Sequence, residues 1–217
     1  MLDRKAMYEP LLISICTKRQ EHLKKQGIKT RLLLSCVDGA KLVNPLSYLS
    51  PRSFYDFDKI RDDHRNINTI GGIGCYLSHV NAWKHVVNLD HPELILEDDA
   101  TLIPGKDWRK CFSEWQQGSH QNPRIKFLQY GPLGSDVYWG AAAYMINPAA
   151  ARFLVDRALP VDMHPDLFMH SVIRQHGWDF ETSDGPYFTQ YESNEGPFKT
   201  SVQLTDETDR PVNLYRY

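Results

Sequence analysis

The sequence feature that most constrains the fold is a short apolar run that ends in three consecutive acids. Leu94-Ile95-Leu96 is too short for a buried helix, and its uniformly apolar character is typical of a strand buried on both faces, as in a parallel sheet. Glu97, Asp98 and Asp99 follow directly. Because open α/β sheets bind ligands beyond the carboxyl ends of their strands, the three acids are expected at a ligand-binding edge.

The spacing of the three acids suggests a cation. Side chains alternate along an extended segment, so Glu97 and Asp99 are predicted to project to one side and Asp98 to the other. Two carboxylates on one side suit a hard divalent cation such as Mg²⁺ or Mn²⁺, which completes its shell with water and substrate phosphates. The alternative is an acidic, solvated turn, and the triplet alone favours neither.

Length and composition are those of a single globular domain that spans residues 1–217. The 217 residues are 41% apolar and 24% charged, with a formal net charge of −2 and no basic run, so nucleic acid is not an expected partner. No apolar stretch reaches the roughly 18 residues of a membrane helix, and residues 1–10 lack the apolar part of a secretory signal, so no transmembrane segment is expected. The four cysteines form no CxxC pair, which favours reduced thiols and a cytoplasmic location.

Apolar periodicity and turn residues predict strands that alternate with helices. The predicted strands are 11–16, 31–37, 94–96, 125–130, 140–146 and 178–182, and the predicted helices are 17–26, 74–87, 108–115, 148–158 and 165–176. Residues 41–70 are predicted to be an irregular, mobile loop over a site, and residues 183–217 an irregular C-terminal segment. The alternation indicates an α/β domain with a mixed, mostly parallel central sheet.

The order of motifs resembles that of glycosyltransferase family 25, which includes bacterial lipopolysaccharide galactosyltransferases and collagen β-galactosyltransferases. The central motif is Gly-Cys-Tyr-Leu-Ser-His at 74–79, followed by Trp83 and by Leu-Ile-Leu-Glu-Asp-Asp-Ala at 94–100. Further segments similar to the family occur in the same order: Val37-Asp38-Gly39, 140–146, Pro160-Val161-Asp162 and Thr200-Ser201-Val202. The first strand departs from the family's usual "INLDRRxxR". The resemblance implies a GT-A-like nucleotide-sugar-binding domain.

The same resemblance implies roles for the acids. Glu97 and Asp99 are the expected ligands of Mn²⁺ or Mg²⁺, and Asp98 is expected to orient hydroxyls of the donor. The family is mostly inverting, and inversion requires a carboxylate that accepts the proton of the acceptor hydroxyl. Asp162 is the first candidate and Asp166 the second, although an acid at the first turn of a helix can simply favour the helix terminus. His164 is a candidate for a further metal ligand or for a hydrogen-bond donor to phosphate, with a surface histidine as the favoured alternative.

Other residues are candidates for binding the donor. Ser78 and His79 are predicted at the start of a helix, where backbone N–H groups can face an anion; alternatively, His79 fixes that helix against the sheet. Asp38 and Gly39 are expected near the ribose or base, or form an ordinary turn. Thr17 and Arg19 are weaker candidates. An acceptor groove or core packing is the expected role of six aromatic residues: Tyr130, Tyr138, Trp139, Tyr187, Phe188 and Tyr191.

The predicted function is that of a metal-dependent, inverting glycosyltransferase. It would move a hexose, galactose or glucose, from a UDP-sugar to a hydroxyl of a glycan, lipopolysaccharide or glycoprotein. Two alternatives remain: a metal-dependent nucleotidyltransferase or sugar-phosphate hydrolase, and a non-catalytic module that binds nucleotide-sugars or glycans. A transferase releases UDP, which distinguishes it from both.

Overall fold

A computed structural model describes residues 9–57, 67–118, 122–129, 140–178, 180–182 and 186–190. The strands are β1 (Leu11–Ile13), β2 (Arg31–Leu32), β3 (Glu93–Glu97), β4 (Ala100–Leu102), β5 (Ile125–Phe127), β6 (Ala143–Ile146), β7 (Phe180–Thr182) and β8 (Phe188–Gln190). The α-helices are α1 (Thr17–Lys25), α2 (Pro51–Tyr55), α3 (Ile70–Val87), α4 (Trp108–Gln116), α5 (Pro148–Val155) and α6 (Pro165–His176).

Six strands form the central sheet in the order β2-β1-β3-β6-β5-β7, while β4 and β8 form a separate antiparallel pair. Five strands of the central sheet share one direction, and β6 runs antiparallel between β3 and β5. The prediction of a mixed, mostly parallel sheet is therefore confirmed. Because Ile13 pairs with Glu97, the carboxyl ends of β1 and β3 lie side by side.

Two apolar cores cover the two faces of the sheet. The central strand illustrates the alternation: Ile95 packs into the core beneath α3, α5 and α6, whereas Leu94 and Leu96 pack into the core that contains α1 and α4. All three side chains are buried. The prediction that this run is buried on both faces is confirmed, and the acids after it lie at the edge of a three-layer domain.

The ends of several elements follow from local capping. Asn147 caps α5 by accepting a hydrogen bond from the Ala150 N–H, with Pro148 as the first helical residue, as predicted. Helix α6 ends at Gly177 in the left-handed region (φ 61°), also as predicted. Helix α3 differs from its prediction, because Thr69 caps it and it begins at Ile70 rather than at Gly74.

Other boundaries require correction. Strands β1 and β2 are shorter than predicted, and the hydrogen-bonded ladder ends at Ile13 and Leu32. The prediction that residues 41–70 form an irregular loop is wrong for residues 45–55. This segment contains a 3-10 turn at Pro45–Tyr48 and the helix α2. Residues 58–66 lie outside the described part of the chain. The prediction that residues 183–217 form an irregular segment is wrong for residues 188–190, because they form β8 and pair with β4.

Two glycines allow α3 to lie close to the turn that follows β2. A Cβ added at Gly74 would lie 2.6 Å from the Gly39 nitrogen and 2.8 Å from the Val37 carbonyl oxygen. A Cβ added at Gly39 would lie 2.0 Å from the carbonyl oxygen of Ile70. These neighbours are backbone atoms, which cannot move aside as a flexible side chain does. The glycines in two of the recognised motifs therefore serve one shared contact.

Gly74→Ala is expected to destabilise the protein by about 3 kcal/mol, the upper end of the usual cost of overpacking, because the added methyl group meets backbone on the turn. The midpoint of denaturant unfolding measures this loss. Lys84→Ala, on the exposed side of the same helix, is the control and should leave the midpoint unchanged. An unchanged midpoint for Gly74→Ala would contradict the close contact.

Candidate functional site

The three acids lie where β3 ends, and each contacts a different part of the fold. Glu97 is the last residue of β3, and Asp98 and Asp99 form the turn before β4. The partners are His79 for Glu97, Ser14 and Arg19 for Asp98, and Gln190 for Asp99. Asp98 thus contacts residues at the start of α1, and it does so from a turn rather than from the extended segment that was predicted.

Asp98 is held by two partners. The Ser14 hydroxyl donates to its Oδ2 at 2.6 Å, and Arg19 Nη1 donates to its Oδ1 at 3.1 Å. Burial raises the pKa of Asp98, while the bonds from Ser14 and Arg19 act in the opposite direction. Arg19, which was predicted to bind the sugar donor, therefore pairs with one of the three acids. Thr17 begins α1 two positions earlier.

Asp99 is a buried carboxylate with one unsatisfied oxygen. Its side chain is 9% exposed, and Gln190 Nε2 donates to Oδ2 at 3.0 Å. Within the described residues, Oδ1 has no hydrogen-bond partner. Burial, followed by the negative charge of Glu97, raises the pKa of Asp99 to about 7. An orphaned oxygen beside a second carboxylate fits a bound divalent cation, which would supply the missing partner and offset the repulsion.

Ser78 and His79 are in the third turn of α3, so the prediction that they begin the helix is wrong. Their backbone N–H groups lie inside the helix and are not free to face an anion. The Ser78 hydroxyl donates to the Gly74 carbonyl and accepts from the Val37 N–H, each at 2.8 Å, which fastens the helix to the turn after β2. Whether either residue contacts the donor stays a prediction.

His79 links the helix to two strands of the sheet. It is fully buried, with Nε2 2.8 Å from Glu97 Oε1 and Nδ1 2.9 Å from the hydroxyl of Tyr144. The indole N–H of Trp83 donates to the same hydroxyl at 2.9 Å. The alternative in which His79 fixes the helix against the sheet is therefore realised, and its contact with Glu97 also brings it to the acidic edge.

Cys75 is a residue of this site that sequence reasoning missed. It lies one turn before His79 on α3, and one ligand atom from each of Cys75, His79 and Glu97 lies within 4.8 Å of the others. Burial holds the pKa of the Cys75 thiol well above its usual value, and four carboxylates raise it further: Glu97, Asp99, Asp166 and Asp98. The i, i+4 spacing of a cysteine and a histidine was the signal available in the sequence.

The two candidate proton acceptors have different surroundings. Asp162 accepts hydrogen bonds from the hydroxyls of Ser50, at 2.5 Å, and Ser53, at 3.2 Å, and thereby joins the first turn of α2. Asp166 lies in the first turn of α6, and its charge acts on Cys75 together with the acidic triplet. His164, which precedes α6, is buried, so the favoured prediction of a surface histidine is wrong.

The remaining candidates make other contacts or lie outside the described residues. Asp38 accepts from the Ala40 N–H at 3.1 Å and forms an ion pair with Lys41, as an ordinary turn does, and Gly39 is buried against α3. Phe188 is a core residue, and Tyr187 is half-buried beneath the Lys106 ammonium group. The other proposed acceptor aromatics, Tyr130, Tyr138, Trp139 and Tyr191, and the segment Thr200-Ser201-Val202 lie outside the described residues.

A search of the helices in the described ranges finds none with both the length and the apolar character needed to cross a bilayer.

Comparison with known proteins agrees with the central motifs. The family model described as "Glycosyltransferase family 25 (LPS biosynthesis protein)" matches residues 7–133, which is more than half of the chain. A "Glycosyltransferase 25 family member" from Anopheles gambiae is 48% identical over 42 residues, covering 19% of this chain and 7% of that protein. "Lacto-N-neotetraose biosynthesis glycosyltransferase LgtB" from Neisseria meningitidis serogroup B is 29% identical over 124 residues, covering 45% of each.

The chain spans less than half the length of either of these relatives. The family match nevertheless includes the turn at Gly39, all of α3 and the acidic triplet, while Asp162 and Asp166 lie beyond it. On the strength of a match over more than half of its residues, the chain belongs to glycosyltransferase family 25.

Proposed function

We propose that this chain is a metal-dependent, inverting glycosyltransferase with a GT-A-like site. It transfers a hexose, galactose or glucose, from a UDP-sugar to a hydroxyl of a glycan, lipopolysaccharide or glycoprotein. The observation that carries the proposal is Asp99, a buried carboxylate with a raised pKa and Glu97 as its charged neighbour, whose Oδ1 has no hydrogen-bond partner among the described residues. Family membership supplies the class of reaction.

Glu97 and Asp99 are the proposed ligands of Mn²⁺ or Mg²⁺. When bound, the cation acts as a Lewis acid on the diphosphate and stabilises the charge of the leaving group. The protein keeps the two carboxylates in place through His79 and Gln190. Ser14 and Arg19 already orient Asp98. Each oxygen of Asp98 keeps a further lone pair that can accept a hydrogen bond from a hydroxyl of the UDP-sugar.

The acceptor and the location belong to the same proposal. The family description mentions lipopolysaccharide biosynthesis and the name of one relative mentions lacto-N-neotetraose biosynthesis, which supports a glycan as acceptor. None of the four cysteines forms a disulfide, which supports a reducing, cytoplasmic compartment. A formal net charge of −2 gives no support to nucleic acid as a partner.

The test of the proposed function is the release of UDP from a panel of UDP-sugars, with Mn²⁺ and with EDTA. Slow, metal-dependent release of UDP from one donor would support the transferase and identify its sugar. Release of UMP or phosphate would instead support a nucleotidyltransferase or hydrolase. Binding of a UDP-sugar without turnover, even with candidate glycan acceptors present, would support the non-catalytic module.

We favour Asp166 over Asp162 as the proton acceptor, because Asp162 accepts hydrogen bonds from Ser50 and Ser53, whereas the charge of Asp166 acts on the Cys75 thiol together with the acidic triplet. Asp166→Asn is expected to lower kcat by about 10²–10⁴-fold, the usual contribution of a general base, with little change in the KM for the donor. Asp162→Asn should mainly lower stability, because it weakens the contacts with Ser50 and Ser53. Steady-state kinetics of both variants tests this assignment. A large loss of kcat in Asp162→Asn, with little loss in Asp166→Asn, would instead assign the role of proton acceptor to Asp162.

A further inference from the structure

We propose that Tyr144 and Trp83 are positioning residues for the metal site. Through a one-directional chain of hydrogen bonds, they determine which nitrogen of His79 carries the hydrogen, and His79 in turn orients the Glu97 carboxylate. The inference rests on the proposed function, because that function gives Glu97 its role as a metal ligand. It goes further by assigning a task to two residues that lie entirely within the core.

The direction of the chain follows from the chemistry of its first member. An indole nitrogen only donates, so Trp83 Nε1–H donates to the Tyr144 hydroxyl oxygen at 2.9 Å. That hydroxyl has one hydrogen, and its neighbour on the other side is His79 Nδ1 at 2.9 Å. Among the described residues, His79 Nδ1 is the only acceptor near this hydroxyl, so Tyr144 donates its hydrogen to Nδ1, and Nδ1 carries none.

Glu97 requires the same arrangement from the opposite end. An unprotonated Nε2 located 2.8 Å from a carboxylate oxygen would bring two acceptors together. With its hydrogen on Nε2, His79 instead donates to Glu97 Oε1. Both ends of the chain thus select one tautomer, and the hydrogen bonds run from Trp83 through Tyr144 and His79 to Glu97.

Burial makes this orientation rigid. Trp83, His79 and Tyr144 are fully buried, whereas the Glu97 side chain is 18% exposed at the acidic edge. A buried polar group that loses its partner is costly, so the rings cannot readily turn away. The bond from His79 occupies Oε1 and leaves Oε2 for a cation shared with Asp99. Partners of this kind typically change metal affinity or activity by about 10–100-fold when they are removed.

The first test compares two tyrosines of the same core. Tyr144→Phe removes the hydroxyl within the chain, and Tyr76→Phe removes a buried hydroxyl on α3 that donates to the Ala158 carbonyl at 2.9 Å. Calorimetric titration with Mn²⁺ alone is expected to show about tenfold weaker binding for Tyr144→Phe. Tyr76→Phe should bind as the wild type does. Equal affinities in all three proteins, or an equal loss in both variants, would overturn the proposal.

A second comparison separates orientation from simple packing. His79→Gln keeps an N–H donor that can reach Glu97, whereas His79→Leu keeps only volume. The glutamine variant should therefore retain more Mn²⁺ affinity than the leucine variant, and equal loss in both would overturn the proposal.

The tautomer can be measured without any metal. Two-bond ¹⁵N–¹H correlation spectra of the wild-type protein should show the hydrogen of the His79 ring on Nε2; a hydrogen on Nδ1 would overturn the chain. If the wild type bound no Mn²⁺, the proposed function would fail, and these spectra would still decide the direction of the hydrogen bonds.

Discussion

Asp99→Asn is expected to lower metal-dependent release of UDP by about 10²–10³-fold, because it removes the charge of the proposed principal ligand. A bound metal contributes several kcal/mol to the stabilisation of a developing charge, and about 1.4 kcal/mol corresponds to a factor of ten in rate. Asparagine has nearly the same shape, so the bond from Gln190 to the remaining oxygen can persist. The measurement is the rate of UDP release at saturating Mn²⁺.

The matched control is another carboxylate that is changed to its amide. Glu114 is exposed on α4, where its side chain forms a 3.9 Å ion pair with Lys110. Glu114→Gln should release UDP at the wild-type rate. If Asp99→Asn did the same and kept its dependence on Mn²⁺, the acidic triplet would be only a turn and the proposed metal site would be wrong.

The second large effect is a loss of stability of the metal-free protein as the pH rises from about 4 to about 7. The pKa of Asp99 is raised from 3.8 to about 7 in the folded protein. Between these values the folded state keeps a proton that the unfolded chain has released, so the free energy of unfolding falls as the pH increases and levels off above pH 7. A shift of this size corresponds to up to about 4 kcal/mol.

Other groups also titrate in this range, so the comparison with a variant is essential. Burial raises the pKa of Glu93 and of Asp98, which adds to the trend, whereas it lowers the pKa of His22 and of His85, which opposes it. Chemical unfolding in EDTA at pH 5 and pH 8 should show a smaller difference for Asp99→Asn than for the wild type. Mn²⁺ should restore the stability of the wild type at pH 8. Equal pH dependence in both proteins would contradict the prediction.

The strand before the acids was predictable because its signal is local. Three successive apolar residues that must face two sides of a sheet require apolar layers on both, and Ile95 and Leu96 do pack into different cores. The direction of β6 was not predictable in the same way. A short run of small and apolar residues has the same pattern in either direction, and only its partners β3 and β5 determine that it is antiparallel.

The start of α3 shows how a tertiary contact overrides local preference. Glycine disfavours helices, and the predicted helix began at Gly74, after Gly71 and Gly72. The helix nevertheless begins at Ile70, where the Thr69 cap and the close contact with Gly39 stabilise it. By contrast, the Ser50-Pro51 pair that begins α2 was a local capping signal present in the sequence.

The partners of the candidate site could be predicted least. Nothing near Asp98 in the sequence indicates that Ser14 and Arg19 bind it, and nothing near Asp99 indicates Gln190. The position of the acids at the end of β3 was predictable because they directly follow the apolar run, and the binding of a cation there stays a prediction. Their orientation depends on where distant segments return to the sheet, which a periodic pattern does not encode.

The distribution of the acidic triplet over three parts of the fold has a consequence for folding. The hydrogen bonds that hold the three acids bridge 18 positions of the chain for Glu97, 79 and 84 for Asp98, and 91 for Asp99. The contacts of Asp98 and Asp99 require the closure of large loops, so we expect them to form late in the folding reaction. Partly folded molecules should therefore lack a complete form of the proposed donor-binding site. Titration of a preparation with a tightly binding analogue of the UDP-sugar would then measure its fraction of native molecules.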